Sequence, residues 1–135
     1  MSGGQAPGAS KLGLTTGLVV QEFGWDEDVD DDLRVAIEDA IDGELVEDAV
    51  EAVDAVLLWW RADDGDLVDG LVDALTDLAA GGYIWLFTPK VGRPGSLDPS
   101  DLSEAAVTAG LSLTTTAQVS PDWAANKFVR PKSPR

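Results

Sequence analysis

Residues 54–60 (DAVLLWW), 66–80 (DLVDGLVDALTDLAA) and 83–88 (YIWLFT) decide the fold. The first and third are apolar almost throughout, as expected of central parallel strands covered on both faces. Between them Leu67, Leu71, Ala74, Leu75 and Leu78 recur at helical spacing. The middle segment therefore predicts an amphipathic helix, stopped by Gly81-Gly82. Downstream, residues 99–109 predict a short helix with Asp98 as its cap and Pro99 in its first position. Strands at 111–119 and 125–130 follow, joined by a turn at Ser120-Pro121-Asp122, close enough to pair as an antiparallel hairpin.

Upstream, residues 18–23 (LVVQEF) read as a first strand ending at Gly24. Residues 26–42 read as a helix, with Val29, Leu33, Ala36, Ile37, Ala40 and Ile41 on one face and Gly43 as the stop. Six acids at 26–32 fall in its first turns, where the helix dipole favours them. Residues 44–53 fit either a short strand at Leu45-Val46 with a helical turn after it or a continued helix, and the former is favoured. Consecutive βα units imply right-handed crossovers and parallel strands. The expected fold is a three-layer Rossmann-like α/β sandwich, its sheet mostly parallel with a C-terminal antiparallel hairpin. A single domain would span residues 12–132, between a disordered tail at 1–11 and a short basic tail at 133–135.

No apolar run approaches the roughly 20 residues needed to cross a bilayer. The N-terminus has no basic and apolar regions of a secretory leader, so a cytoplasmic location and no membrane partner are expected. The chain has no cysteine and no histidine. That removes disulfides, thiolate nucleophiles and the commonest general base near neutral pH. The net charge of −16 is uneven: residues 1–80 hold 21 of the 25 Asp/Glu and three of the nine Lys/Arg. Such a body repels nucleic acid and suits a basic protein surface, although a solubilising role explains many of the acids. Lys127, Arg130, Lys132 and Arg135 could dock on the acidic half of a second copy, giving a homo-oligomer.

Ligands on open α/β sheets bind outside the carboxyl ends of the strands. Those ends bring Glu22, Trp25, Arg61 and Lys90 into consideration, a set that could stack a base and hold an anion. Lys90 and Arg93 lie on a Gly/Pro loop (KVGRPG, 90–95) that could close around an anion, without the spacing of a phosphate-binding loop. Trp59 and Trp60 read as core beneath helices, whereas Trp25 stands beside acids and reads as surface. The DEDVDDD run at 26–32 fails as a calcium loop, because Asp31 and Ile37 stand where glycine and a bidentate acid belong. No metal ligands or catalytic residues are assigned.

The KLGL segment at 11–14, the strand and TPK at 83–90, and the W-x-x-x-K-F-V-R-P-K ending at 123–132 resemble the actinobacterial family known as domain of unknown function 3052. That resemblance covers residues 11–135 and implies no activity. The layout is in turn similar to a reduced S-adenosylmethionine-dependent methyltransferase. Those enzymes carry a G-x-G-x-G-like loop after the first strand, where this chain has Glu22-Phe23-Gly24-Trp25-Asp26-Glu27. An acceptor-binding D/N-P-P-Y-type motif is replaced by Trp60-Arg61-Ala62-Asp63. No cofactor is therefore expected, and no motif supports S-adenosylmethionine or a nucleotide as one. The expected function is a non-enzymatic binding or regulatory module for a protein partner and a small anionic ligand. A divergent methyltransferase-like or nucleotide-binding enzyme and a self-assembling structural protein are the alternatives.

Overall fold

The computed structural model describes residues 7–49 and 51–131. Among these, β1 (Val20–Phe23), β2 (Val53–Trp59), β3 (Leu78–Pro89), β4 (Ser112–Gln118) and β5 (Trp123–Val129) form one sheet in the order β1-β2-β3-β5-β4. Helix α1 (Asp31–Ile41) follows β1, α2 (Leu67–Leu75) joins β2 to β3, and α3 (Pro99–Thr108) precedes β4. β1, β2 and β3 are parallel, while β5 is antiparallel to both β3 and β4. The sheet is therefore mixed, with two parallel and two antiparallel pairs, which corrects the expectation of a mostly parallel one. The hairpin supplies two of the five strands, and its second strand lies inside the sheet rather than at the edge.

The outer edge of β1 explains why α1 and α2 lie on opposite faces. Val46 forms a single parallel bridge with Gln21, through Val46 N–H to Val20 O at 3.0 Å and Glu22 N–H to Val46 O at 2.8 Å. The chain thus leaves β1 through α1 toward one side and returns to β2 on the other. Crossovers of one hand running in opposite directions place their helices on opposite faces. The strand expected at Leu45-Val46 shrinks to this bridge, and no helical turn follows it among the described residues.

The strand pleat sorts the core. Ala55, Leu57 and Trp59 of β2 join Trp85 and Phe87 of β3 beneath Leu33, Ala36 and Ile37 of α1. Val56, Leu58, Ile84, Leu86 and Phe128 face Leu71, Ala74, Leu102 and Ala106 of α2 and α3. Both faces of β2 and β3 are covered, which is why their sequences are apolar without alternation.

Tertiary contacts reset several ends. Residues 7–12, expected within a tail and turn, form a 3-10 helix that buries Ala9 and Leu12. The Trp85 indole N–H donates to Leu12 O at 3.1 Å, and Lys11 Nζ donates to Gln118 O at 2.8 Å. The start of the expected tail, residues 1–6, lies outside the described residues, as do 132–135 and the basic tail expected there. Helix α1 begins at Asp31, not 26; Asp30 caps it by accepting from Leu33 N–H at 3.0 Å. Residues 26–29 are held instead by Arg61 and by the Trp123 indole, which donates to Asp28 O at 3.1 Å. Helix α2 ends at Leu75 because Leu78 pairs with Val53 and enters the core as the start of β3. Asp98 occupies the cap position of α3, but its side chain makes no capping hydrogen bond.

Deleting residues 1–12 should cost about 3 kcal/mol of stability, from lost burial of Leu12 and Ala9 and the lost Trp85 hydrogen bond. Urea unfolding of the truncated and full chains measures this. A passive tail would leave the midpoint unchanged.

Candidate functional site at the strand carboxyl ends

The reversal between the Val46 bridge and β2 creates a topological switch point at the carboxyl ends of β1 and β2, the usual place for a ligand on such a sheet. Glu22 sits there on β1 with its side chain only 4% exposed. The fork of Arg34 on α1 donates to its two oxygens from Nε at 2.7 Å and Nη2 at 2.8 Å. Trp59 at the end of β2 donates its indole N–H to the same carboxylate at 2.8 Å. The hydrogen bonds that Arg34 donates to Glu22 raise its pKa, against the effect of burial. Trp59 in turn stacks on Phe87, with centroids 4.4 Å apart, and meets Trp123 edge-on at 4.9 Å.

Arg61 stands just above. Its guanidinium holds both oxygens of Asp28, donates to Gly24 O at 2.8 Å, and reaches Asp64 at 3.3 Å. It also lies over the Trp123 ring, 5.2 Å from the centroid. Burial disfavours its charge, but the bonds to Asp28 and Asp64 outweigh that and raise its pKa. One side chain therefore ties the loop after β1 to the loop after β2. Gly24, at φ 80°, sits so close to β2 that a Cβ would lie 2.2 Å from the Trp59 carbonyl oxygen. The glycine serves contact between strands, a close approach that only a residue without a side chain permits.

The remaining sequence candidates are not gathered on one rim. Trp25 is 53% exposed on the loop pinned by Arg61, with exposed Asp26 and Glu27 beside it. Arg93 pairs with Asp122 at 2.9 Å on the surface. Lys90 has its backbone N–H on Asp122 O at 2.9 Å and lines a separate chamber beside α3. Sequence reasoning passed over Arg34, Asp28, Trp123 and Asn126. A signal existed for two of them: Arg34 is the one cation in an acidic helix, and Asn126 interrupts an inward-facing alternation with Ala124 and Phe128. No group of three or more acidic, His or Cys side chains among the described residues could hold a metal ion. None of the described helices is long and apolar enough to cross a membrane.

Comparison with known proteins matches residues 9–132 to the family described as Protein of unknown function (DUF3052). The chain belongs to that family. The uncharacterized proteins Rv2239c of Mycobacterium tuberculosis and Mb2263c of Mycobacterium bovis are each 53% identical over 126 residues, spanning 93% of this chain and 79% of theirs. Among solved structures, the pyocyanin biosynthetic protein PhzM is similar with a TM-score of 0.67 at 11% identity, over 93% of this chain and 55% of PhzM. The mitomycin 7-O-methyltransferase MmcR gives 0.63 at 11% identity, over 92% of this chain and 53% of MmcR. A SAM-dependent methyltransferase from Aquifex aeolicus gives 0.56 at 12% identity, over 93% and 91%. The chain thus spans about half of PhzM and MmcR. At these identities the likeness establishes the methyltransferase-like α/β fold.

Two predictions follow from this geometry. Arg34→Ala strands the buried Glu22 carboxylate on a single donor and should cost about 2–4 kcal/mol; the double variant Glu22→Gln/Arg34→Ala should recover part of the loss. Urea unfolding of the full cycle tests the coupling, and additive losses would refute it. The second concerns acid. The hydrogen bond from Arg61 holds the Asp28 carboxyl below its ordinary value of 3.8, against a raising effect of burial and with Coulombic attraction added. A depressed folded value contributes stability that is present above 3.8 and lost as pH falls through the folded value. Because Asp28 is over half exposed, that share should stay under about 1 kcal/mol. The stability gap between wild type and Arg61→Ala should be constant near neutrality and narrow below pH ~4. Parallel pH profiles would exclude the pair as the cause.

Proposed function

We propose that this chain is a non-enzymatic binding module on a methyltransferase-like fold, and that it recognises a basic protein partner through the acidic loops around Trp25. The observation that carries this reading is the use made of the switch point. Glu22, Arg61 and Gly24, which would meet a ligand there, are spent on Arg34 and Trp59, on Asp28, Asp64 and the Gly24 carbonyl, and on strand contact. These residues do not fit S-adenosylmethionine, because Gly24 abuts Trp59 O instead of leaving backbone open to a cofactor.

Outside this bonded layer, Trp25 stands half exposed with Asp26, Glu27 and Asp63 exposed on the two loops that Arg61 joins. An indole among carboxylates suits lysine or arginine, through ring–cation contact and charge together. Loops held together by a half-buried arginine lose little freedom on binding, which favours recognition. The fold likeness alone favours the enzyme reading.

The test uses a lysine- and arginine-rich decapeptide as probe, with binding followed by anisotropy at low salt. Trp25→Ala and the pair Asp26→Lys/Glu27→Lys should each weaken it about tenfold, while Asp69→Lys/Asp73→Lys on α2 should change it by less than about threefold. Equal losses in both charge-reversal pairs would refute a localised surface. Saturable calorimetric binding of S-adenosylmethionine or S-adenosylhomocysteine would overturn the non-enzymatic reading.

A further inference from the structure

On the α3 side of the sheet, the ends of β3, β5 and β4 turn polar along one line. Ile84, Leu86 and Phe128 are apolar and buried, but the next positions on this face are the buried Thr88 and Asn126 and the exposed Thr116. Asn126, 2% exposed, donates to Leu86 O at 3.1 Å and to Thr88 Oγ1 at 3.2 Å, and accepts from the Thr116 hydroxyl at 3.0 Å. Thr88 thereby accepts the Asn126 amide and keeps its own hydroxyl hydrogen, for which no acceptor occurs among the described residues.

These groups floor a chamber of about 400 Å³, roofed by Leu97, Pro99 and Leu102. Its size and mainly apolar lining with a few convergent polar groups are those of a small-molecule site. Its charge sets it apart. Although the chain carries 25 Asp and Glu, none lines this chamber, and Lys90 is the one charged lining residue among the described residues. The chamber of about 500 Å³ between α2 and α3 is lined instead by Asp66, Asp98, Asp101 and Glu104. Arg93 is neutralised by Asp122, whereas the Lys90 ammonium has no ion-pair partner among the described residues.

We infer that this chamber binds a small amphipathic monocarboxylate, its carboxylate on the Lys90 ammonium and the Thr88 hydroxyl, its hydrocarbon body against Leu97, Pro99 and Leu102. An ammonium beside apolar walls favours a single negative charge attached to an apolar group. A hydrophilic dianion would leave one charge without a partner, and a cation would meet Lys90. The site shares no residue with the acidic surface around Trp25, so the two readings stand or fall separately.

Octanoate, octanol and octylamine serve as probes, titrated into the ¹⁵N-labelled full chain and followed by amide shifts. Octanoate should give saturable shifts at residues 88–91, 97–102 and 124–126 with a Kd of about 1 mM or tighter. Octanol and octylamine should bind at least about tenfold more weakly. Lys90→Ala, with its amide spectrum confirming an intact fold, should weaken octanoate about tenfold, and Lys90→Arg should retain it. Absence of saturable shifts up to about 10 mM octanoate, equal binding of octylamine, or unchanged affinity in Lys90→Ala would each overturn the inference.

Discussion

The Glu22 carboxylate, buried at the end of β1, is the constraint on which the rest of the molecule is arranged. A charge in that position is costly unless several donors meet it. Arg34 supplies a fork from α1 and Trp59 an indole N–H from β2, so one carboxylate joins a helix and two strands. Trp59 carries the connection onward to Phe87 of β3 and Trp123 of β5 through ring contacts. Arg61 then closes the layer from above, over Trp123 and onto Asp28 and Gly24 O. Each contact restricts the next, and a polar cluster satisfied in this way rigidifies its surroundings.

The functional consequence concerns which polar groups stay free. A fold of this kind exposes the ends of its parallel strands to ligands. Here the same place is packed with its own side chains. Polar chemistry with spare capacity lies to either side: carboxylates around Trp25 on the loops, and Lys90 over a chamber without acids beside α3. Opposite charges are thus separated across one end of a small sheet.

Much of the architecture was legible because burial on both faces leaves a plain trace. The apolar runs at 54–60 and 83–88 are nearly all of β2 and half of β3, and the leucine spacing after Asp66 is α2. The hairpin was readable from its short turn. The ends of elements were less so. The acids at 26–29 look like helix, but Arg61 and Trp123 hold them in a loop. Leu78 continues a helical stripe, yet pairing with Val53 makes it strand. Glu22 and Arg61 were marked for the polarity of their side chains; their partners Arg34, Asp28 and Trp123 lie 12 to 62 positions away and could not be matched by spacing.

The sequence by itself determined the α/β class, the order of helices and strands, the family, and a strongly acidic chain without histidine or cysteine. These follow from local periodicity, composition and motifs, which need no knowledge of distant neighbours. Only the tertiary structure decided that the sheet is mixed, that Glu22 and Arg61 are turned to structural work, and that Lys90 lines a chamber to which no acid contributes. Those facts depend on which residues a folded chain brings within hydrogen-bond distance. The pairing of β5 between β3 and β4, and the reversal at Val46, bring together groups that are far apart along the chain.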